Sequence, residues 1–186
     1  MLVLGIDPGS IKTGWAVLKI VGNKTQYVAS GILVFDQKTP FMQRLAEIQI
    51  KVRDLIQELK PDEVALESLI YVKSPTALIK LAQTRGIILG ELLSKCPDAI
   101  FEYSPNLVKS SAIGHGHANK ESVEKVITMM FGKREYASHD ETDAIAVALC
   151  HIINRNTNVK NLNGKDVKSR KSSSRGLAGA LAHKLR

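Results

Sequence analysis

Cysteine is scarce in this chain of 186 residues, which contains only Cys96 and Cys150. Two cysteines so far apart have no metal-ligand spacing and argue against a disulfide-stapled protein of an oxidising compartment. Apolar runs of the roughly 18 residues that a membrane helix needs are also lacking. The opening MLVLGIDPGS has neither the charged start nor the cleavage site of a signal peptide. We therefore expect a cytoplasmic globular protein.

Excess charge is absent from most of the chain. Residues 1–154 contain 17 Lys/Arg and 17 Asp/Glu, so the whole net charge of +8 lies in residues 155–186. That segment has few large apolar residues, and we expect it to be a largely disordered tail behind one domain at 1–154. A basic tail attracts phosphate backbones, although one that only increases solubility would have the same composition.

The apolar pattern predicts five strands. The buried run at 2–7 and the segments at 13–20 and 26–35 indicate an antiparallel meander. Two further short runs, at 62–68 and 99–104, predict a fourth and a fifth strand, the fourth parallel to the first.

Five helices are predicted around these strands. Thr39-Pro40 is typical of an N-cap followed by proline in the first turn of a helix, which Pro61 ends. A second helix runs from Ser74-Pro75 to about Lys95, and three more are expected from Pro105, over 120–131, and from Ser138 to about Asn154. Ser138 and Glu141 have capping-box spacing, and His151 is expected on a helix surface. The order predicts an α/β fold with a five-stranded mixed sheet flanked by helices.

Four acidic residues stand where such a fold would bring them together. Asp7 and Glu67 each end a predicted strand, and Asp140 and Asp143 share one face of the last helix. Taken singly, each has a structural explanation, because Asp7 could satisfy the turn before Pro8-Gly9 and the helix pair could favour the N-terminal dipole.

Together these acids indicate a metal centre. Converging carboxylates repel one another unless cations neutralise them, and oxygen ligands without clustered cysteine or histidine suit Mg²⁺, with Mn²⁺ as a substitute. Two such ions about 4 Å apart can promote phosphodiester hydrolysis. His139 could contact such a metal or a phosphate, or it could be a solvent-facing residue of the helix cap.

Six segments along the chain form a recognisable series: LGIDPGS with Thr13-Gly14, ALES at 65–68, KLAQTRG at 80–86, FEYSPNLVK at 101–109, the glycine loop before Asn119-Lys120, and DETDAIAVAL at 140–149. In these segments and in their order the chain resembles the RuvC family of Holliday-junction resolvases. The resemblance implies an RNase H-like fold, a homodimer, two Mg²⁺ per active site, and paired nicks in four-way junction DNA. It also implies the RuvA–RuvB branch-migration complex as a partner.

Carried over position by position, Asp7, Glu67, Asp140 and Asp143 match the metal-binding catalytic acids. Lys109 and Lys120 match basic residues near the junction backbone, although exposed lysines are common on any surface. Where relatives often carry phenylalanine, this chain has Ile70 followed by Tyr71. Either Tyr71 stacks on a base beside the junction centre or Ile70 inserts there without stacking.

Two other functions remain open from the sequence. One is a nuclease of the same fold that acts on RNA or RNA–DNA hybrids, like the YqgF-like rRNA-processing proteins. The other is a junction-binding protein without catalysis, which the retention of four acids disfavours, because negative charge opposes phosphate binding.

The long helix at 75–95 has more than one apolar stripe and is the candidate dimer interface.

Overall fold

The computed structural model describes residues 1–69, 74–113 and 120–155, with only the main chain at 112, 113, 120 and 121. Ile70, Tyr71 and Asn119, and the expected tail beyond residue 155, lie outside these residues. The predictions made for them, and the domain boundary itself, therefore stay predictions.

Five strands form one mixed sheet, as the sequence predicts. They are β1 (Leu2–Asp7), β2 (Lys12–Val21), β3 (Lys24–Val34), β4 (Glu63–Glu67) and β5 (Ile100–Tyr103). Their order across the sheet is β3-β2-β1-β4-β5. The first three strands form an antiparallel meander, whereas β4 runs parallel to β1 and β5 runs parallel to β4.

Helices cover both faces of this sheet. They are α1 (Phe41–Leu59), α2 (Pro75–Lys95), α3 (Pro105–Ile113), α4 (Lys120–Phe131) and α5 (His139–Asn154). Ile48 of α1 and Ile88 of α2 pack on one face with Leu4 and Leu66, while α5 packs on the other with Val123 of α4. The predicted order of strands and helices is confirmed. In the described part of the chain no helix is long and apolar enough to span a membrane.

The start of α1 differs from its prediction by one position. Pro40 is the N-cap residue, with ψ of 137°, and the helix begins at Phe41. Thr39 therefore lies before the cap, where its main-chain N–H donates to Asp36 and its carbonyl accepts from the Arg44 side chain. No side chain caps α1, and the Arg44 guanidinium instead fixes the segment before the helix by donating to the carbonyls of Gln37 and Thr39.

His151 was expected on the surface, and that prediction was wrong. Its side chain is fully buried, with Nε2 2.6 Å from Glu63 Oε2 and Nδ1 2.7 Å from the Tyr103 hydroxyl. Burial alone would raise the pKa of Glu63, but hydrogen bonds from His151 and Arg155 outweigh it and lower the pKa to about 2. An ionised Glu63 can only accept, so the Nε2 hydrogen is donated to it and α5 is fixed to β4 at the end far from Glu67.

Candidate functional site

Asp7 and Glu67 emerge side by side at one edge of the sheet. Each is the last residue of its strand, and β1 and β4 are parallel neighbours in which Ile6 pairs with Leu66. Both acids line one cavity, whose wall also includes Leu81 and Arg85 of α2. The placement at the carboxyl ends of adjacent parallel strands is the one that the sequence predicts.

The other two acids reach the same edge through α5. Asp140 lies in the first turn of this helix, and its main-chain oxygen is so close to Gly14 that a Cβ on Gly14 would overlap it. Gly14 pairs with Asp7 across the β1–β2 ladder. The absence of a side chain at Gly14 therefore lets the start of α5 lie directly beside the end of β1.

Asp143 faces Glu67 across a second cavity, of about 160 Å³, which Lys109 of α3 also lines. Glu67 belongs to both cavities and so stands between Asp7 on one side and Asp143 on the other. The structure thus brings all four predicted acids to one end of the sheet.

The described side chains do not form a ready-made ion site. Within residues 1–69, 74–113 and 120–155, no group of three or more His, Cys, Asp and Glu side chains stands in an arrangement that could hold an ion. The Asp140 carboxylate accepts a hydrogen bond of 3.0 Å from the Ser138 hydroxyl. The donor set fits Mg²⁺ or Mn²⁺ by its chemistry, since all its atoms are hard oxygens, but the side chains would have to turn inward to share an ion.

Glu141 anchors α5 instead of closing a capping box. Its carboxylate is buried and accepts hydrogen bonds from the Ser30 hydroxyl at 2.5 Å and from the Ala137 N–H at 2.7 Å. Ser138 is the N-cap residue but makes no side-chain cap hydrogen bond. The capping-box prediction was therefore wrong, because β3 supplies a buried partner that draws Glu141 away from the Ser138 N–H.

The remaining predicted site residues have unequal placements. Lys109 is exposed and borders the cavity of Glu67 and Asp143. Lys120 is the first residue of α4, and only its main chain is described. The His139 side chain is 72% exposed and lies 3.7 Å from Glu124, so it faces solvent and α4.

Sequence reasoning missed Arg85, a buried cation that lines the cavity of Asp7 and Glu67. A signal was present, because Arg85 shares the helical register of Leu81, Ile88 and Leu92, which is otherwise apolar. A charged residue in the buried register of a helix needs a specific partner, and that partner lies at this site.

Comparison with known proteins identifies the family. Residues 3–151 match the family described as crossover junction endodeoxyribonuclease RuvC. This chain belongs to the RuvC family. The RuvC protein of Bartonella henselae is 38% identical over 154 residues, which cover 82% of this chain and 90% of that relative. Family membership makes the chain a nuclease of DNA recombination and repair, and the matched residues include all four acids.

Solved structures of RuvC proteins and other resolvases confirm the fold. The structure of Thermus thermophilus RuvC in complex with a Holliday junction substrate superposes with a TM-score of 0.79 at 26% identity, covering 87% of this chain and 99% of that one. A yeast mitochondrial Holliday junction resolvase gives a TM-score of 0.59 at 14% identity, over 80% of this chain and 76% of that one, and supports the fold alone. The RNase H-like α/β prediction is confirmed.

The close approach at Gly14 yields a testable prediction. In Gly14→Ala the new methyl group collides with the Asp140 carbonyl, so the start of α5 must move away from Asp7. We expect a loss of about 1–3 kcal/mol in unfolding free energy, as for other overpacked sites. Cleavage of a four-way junction should fall further than the folded fraction does, as measured by rate assays and urea unfolding on the same sample.

The matched control is Val28→Ala, at an exposed position of edge strand β3. This variant should leave the unfolding free energy and the rate of junction cleavage unchanged. Wild-type cleavage by folded Gly14→Ala would contradict the idea that the contact between α5 and β2 sets the site.

Proposed function

We propose that this chain resolves Holliday junctions by paired symmetric nicks, with Mg²⁺ held by Asp7, Glu67, Asp140 and Asp143. The observation that carries the proposal is the position of Glu67, which lines both cavities and so links Asp7 to Asp143. The T. thermophilus RuvC structure, which contains a Holliday junction substrate, supports the same DNA as the substrate of this chain.

The four acids have a shared role in this proposal. Their oxygens would bind two ions per active site, with Mn²⁺ able to replace Mg²⁺. When bound, the ions supply an activated water and charge stabilisation for phosphodiester hydrolysis. The acids themselves bind and orient, and Glu67 is the residue placed to bridge the two halves of the site.

Basic residues offset the repulsion between this acidic edge and a phosphate backbone. Lys109 borders the cavity of Glu67 and Asp143 and is placed to stabilise negative charge that develops on a scissile phosphate. Lys120 would act from the start of α4, and Ile70 or Tyr71 would contact the unpaired junction centre. Because residues 1–154 carry no formal net charge, the basic segment 155–186 would add longer-range attraction to DNA.

A homodimer follows from the geometry of the substrate. One active site cuts one strand, so two symmetric nicks need two sites related by a two-fold axis. Helix α2 offers an open apolar surface, since Ile79 and Leu93 are 58% and 40% exposed and a Cβ on Gly86 or Gly90 would meet no atom of the described residues within 4 Å. We assign the dimer interface to this face of α2, and RuvA–RuvB is the proposed partner of the assembled dimer.

The catalytic proposal is tested by Asp7→Asn. Asparagine has the shape of aspartate without its charge, so cleavage of a synthetic four-way junction with Mg²⁺ should be lost while junction binding is kept. Gel assays of cleavage and of binding without metal measure the two effects. Asp36→Asn is the control, because Asp36 is an exposed acid whose turn hydrogen bond to the Lys38 N–H an asparagine preserves.

The same assay should include linear duplex and RNA–DNA hybrid. Junction DNA should be cut far faster than either. Equal cutting of duplex and junction, a preference for the hybrid, or retained cleavage by Asp7→Asn would refute the proposal.

The interface is tested by Leu93→Glu. Burying an unpaired carboxylate between subunits is costly, so this variant should sediment as a monomer at concentrations where the wild-type chain is a dimer. Analytical ultracentrifugation measures the change, with Val28→Glu as a control at a similarly exposed apolar position. A monomeric wild-type chain, or a dimer unaffected by Leu93→Glu, would overturn the assignment.

A further inference from the structure

Arg85 is a buried cation at the edge of the site. Only 4% of its surface is exposed, and it lies on the face of α2 that packs against the sheet. Removing a guanidinium from water is unfavourable unless its nitrogens find partners. The partners of Arg85 therefore show what the charge is for.

Both terminal nitrogens of Arg85 have partners on neighbouring strands. Nη1 donates to the main-chain oxygen of Glu67 at 2.5 Å, and Nη2 forms an ion pair with the carboxylate of Glu102. Glu102 lies on β5 and pairs with Leu66 in the β4–β5 ladder. One planar group thus joins α2 to the last residue of β4 and to the β5 residue that precedes the partner of Glu67 in the ladder.

The hydrogen bonds of Arg85 lie at the point where the β4–β5 ladder ends. The Ser68 N–H still donates to the Tyr103 carbonyl at 2.8 Å, and β4 stops at Glu67. A hydrogen bond to the Glu67 carbonyl fixes the peptide plane that follows the Glu67 side chain. It thereby fixes the direction in which that side chain leaves the strand.

We propose that Arg85 is a positioning residue that holds Glu67 between the two cavities, with Glu102 holding Arg85 in turn. This inference rests on the proposed metal role of Glu67. Arg85 acts through the main chain of Glu67, and it lines the cavity that Glu67 shares with Asp7. Arginine suits the task because its rigid fork serves two acceptors at once, which a lysine ammonium on a flexible stem does not do in the same geometry.

The ion pair of Arg53 on α1 with Glu91 on α2 provides a comparison for Arg85. Arg53 of α1 donates through Nε and Nη2 to the Glu91 carboxylate, at 3.1 and 2.9 Å. This pair also joins α2 to a neighbouring element, but in the described part of the chain no hydrogen bond of Arg53 reaches a residue of the site. The Arg53 side chain is 43% exposed and that of Arg85 is 5% exposed, so the folded state of each variant has to be checked separately.

The test compares Arg85→Lys with Arg53→Lys in the full chain. Mn²⁺ is the probe, titrated by calorimetry without DNA, and single-turnover junction cleavage and metal-free junction binding are measured alongside. Loss of a residue that orients a metal ligand typically costs about 10–100-fold in metal affinity or activity. We expect a loss of this size for Arg85→Lys in Mn²⁺ affinity and cleavage rate, unchanged metal-free junction affinity, and wild-type values for Arg53→Lys.

Glu102→Ala is a second test of the inference in case Arg85→Lys does not fold. Glu102 is about one-third exposed, so its removal is tolerated more easily, and Mn²⁺ affinity should fall in the same direction by a smaller factor. Thermal unfolding shows whether each protein is folded at the assay temperature. Wild-type Mn²⁺ affinity in folded Arg85→Lys and Glu102→Ala, or an equal loss in Arg53→Lys, would overturn the inference.

Glu67→Gln separates this inference from the function on which it rests. If Glu67→Gln binds Mn²⁺ and cuts junctions like the wild type, the proposed metal role of Glu67 is wrong. If Glu67→Gln loses both while Arg85→Lys keeps both, only the positioning role of Arg85 is wrong.

Discussion

The close contact of α5 with the sheet is the constraint on which the site depends. Two glycines make it possible, because a Cβ at Gly5 would overlap the main chain at Ala144 and one at Gly14 would overlap that at Asp140. Protein interiors are packed too densely to absorb such an overlap without moving a helix or a strand. With side chains absent at these two positions, the helix that carries Asp140 and Asp143 lies against the strands that end beside Asp7.

Bringing acids together requires anchors that oppose their mutual repulsion. Glu141 holds the start of α5 through Ser30 and Ala137, and the buried contact of His151 with Glu63 holds its far end. Arg85 holds the end of β4 from the opposite face. These contacts are made by side chains other than the four carboxylates, and they hold α5 and the end of β4 in place at the site.

The order of the strands and helices could be predicted because hydrophobic periodicity and proline positions are local signals. Asp7 and Glu67 could be placed for a related reason, since the ends of parallel strands share one edge of a sheet. The capping box and the surface position of His151 could not be judged correctly in this way. Both depend on long-range partners, Ser30 and Glu63, and a helical pattern carries no information about which strand will lie opposite.

The partners of Arg85 could not be predicted from the sequence either. Its position among the apolar residues of α2 marks it as an unusual charge. The folded structure is needed to show that its partners are the Glu67 carbonyl and Glu102. The role of the acids themselves rests on family membership together with their convergence, and the family pattern spans residues 3–151. The convergence gives a physical reason for why these four positions, among 18 acidic residues in the chain, would bind metal.

If the four acids form one metal centre around Glu67, as we propose, Mn²⁺ will bind at this edge of the sheet. The most direct measurement is anomalous diffraction from crystals of the full chain grown with Mn²⁺. We expect Mn²⁺ peaks bonded to carboxylate oxygens of Glu67, of Asp7 and of at least one of Asp140 and Asp143, with the side chains turned inward. If crystals with saturating Mn²⁺ show no peak at this edge of the sheet, or show peaks only elsewhere in the protein, the four acids do not form this metal centre.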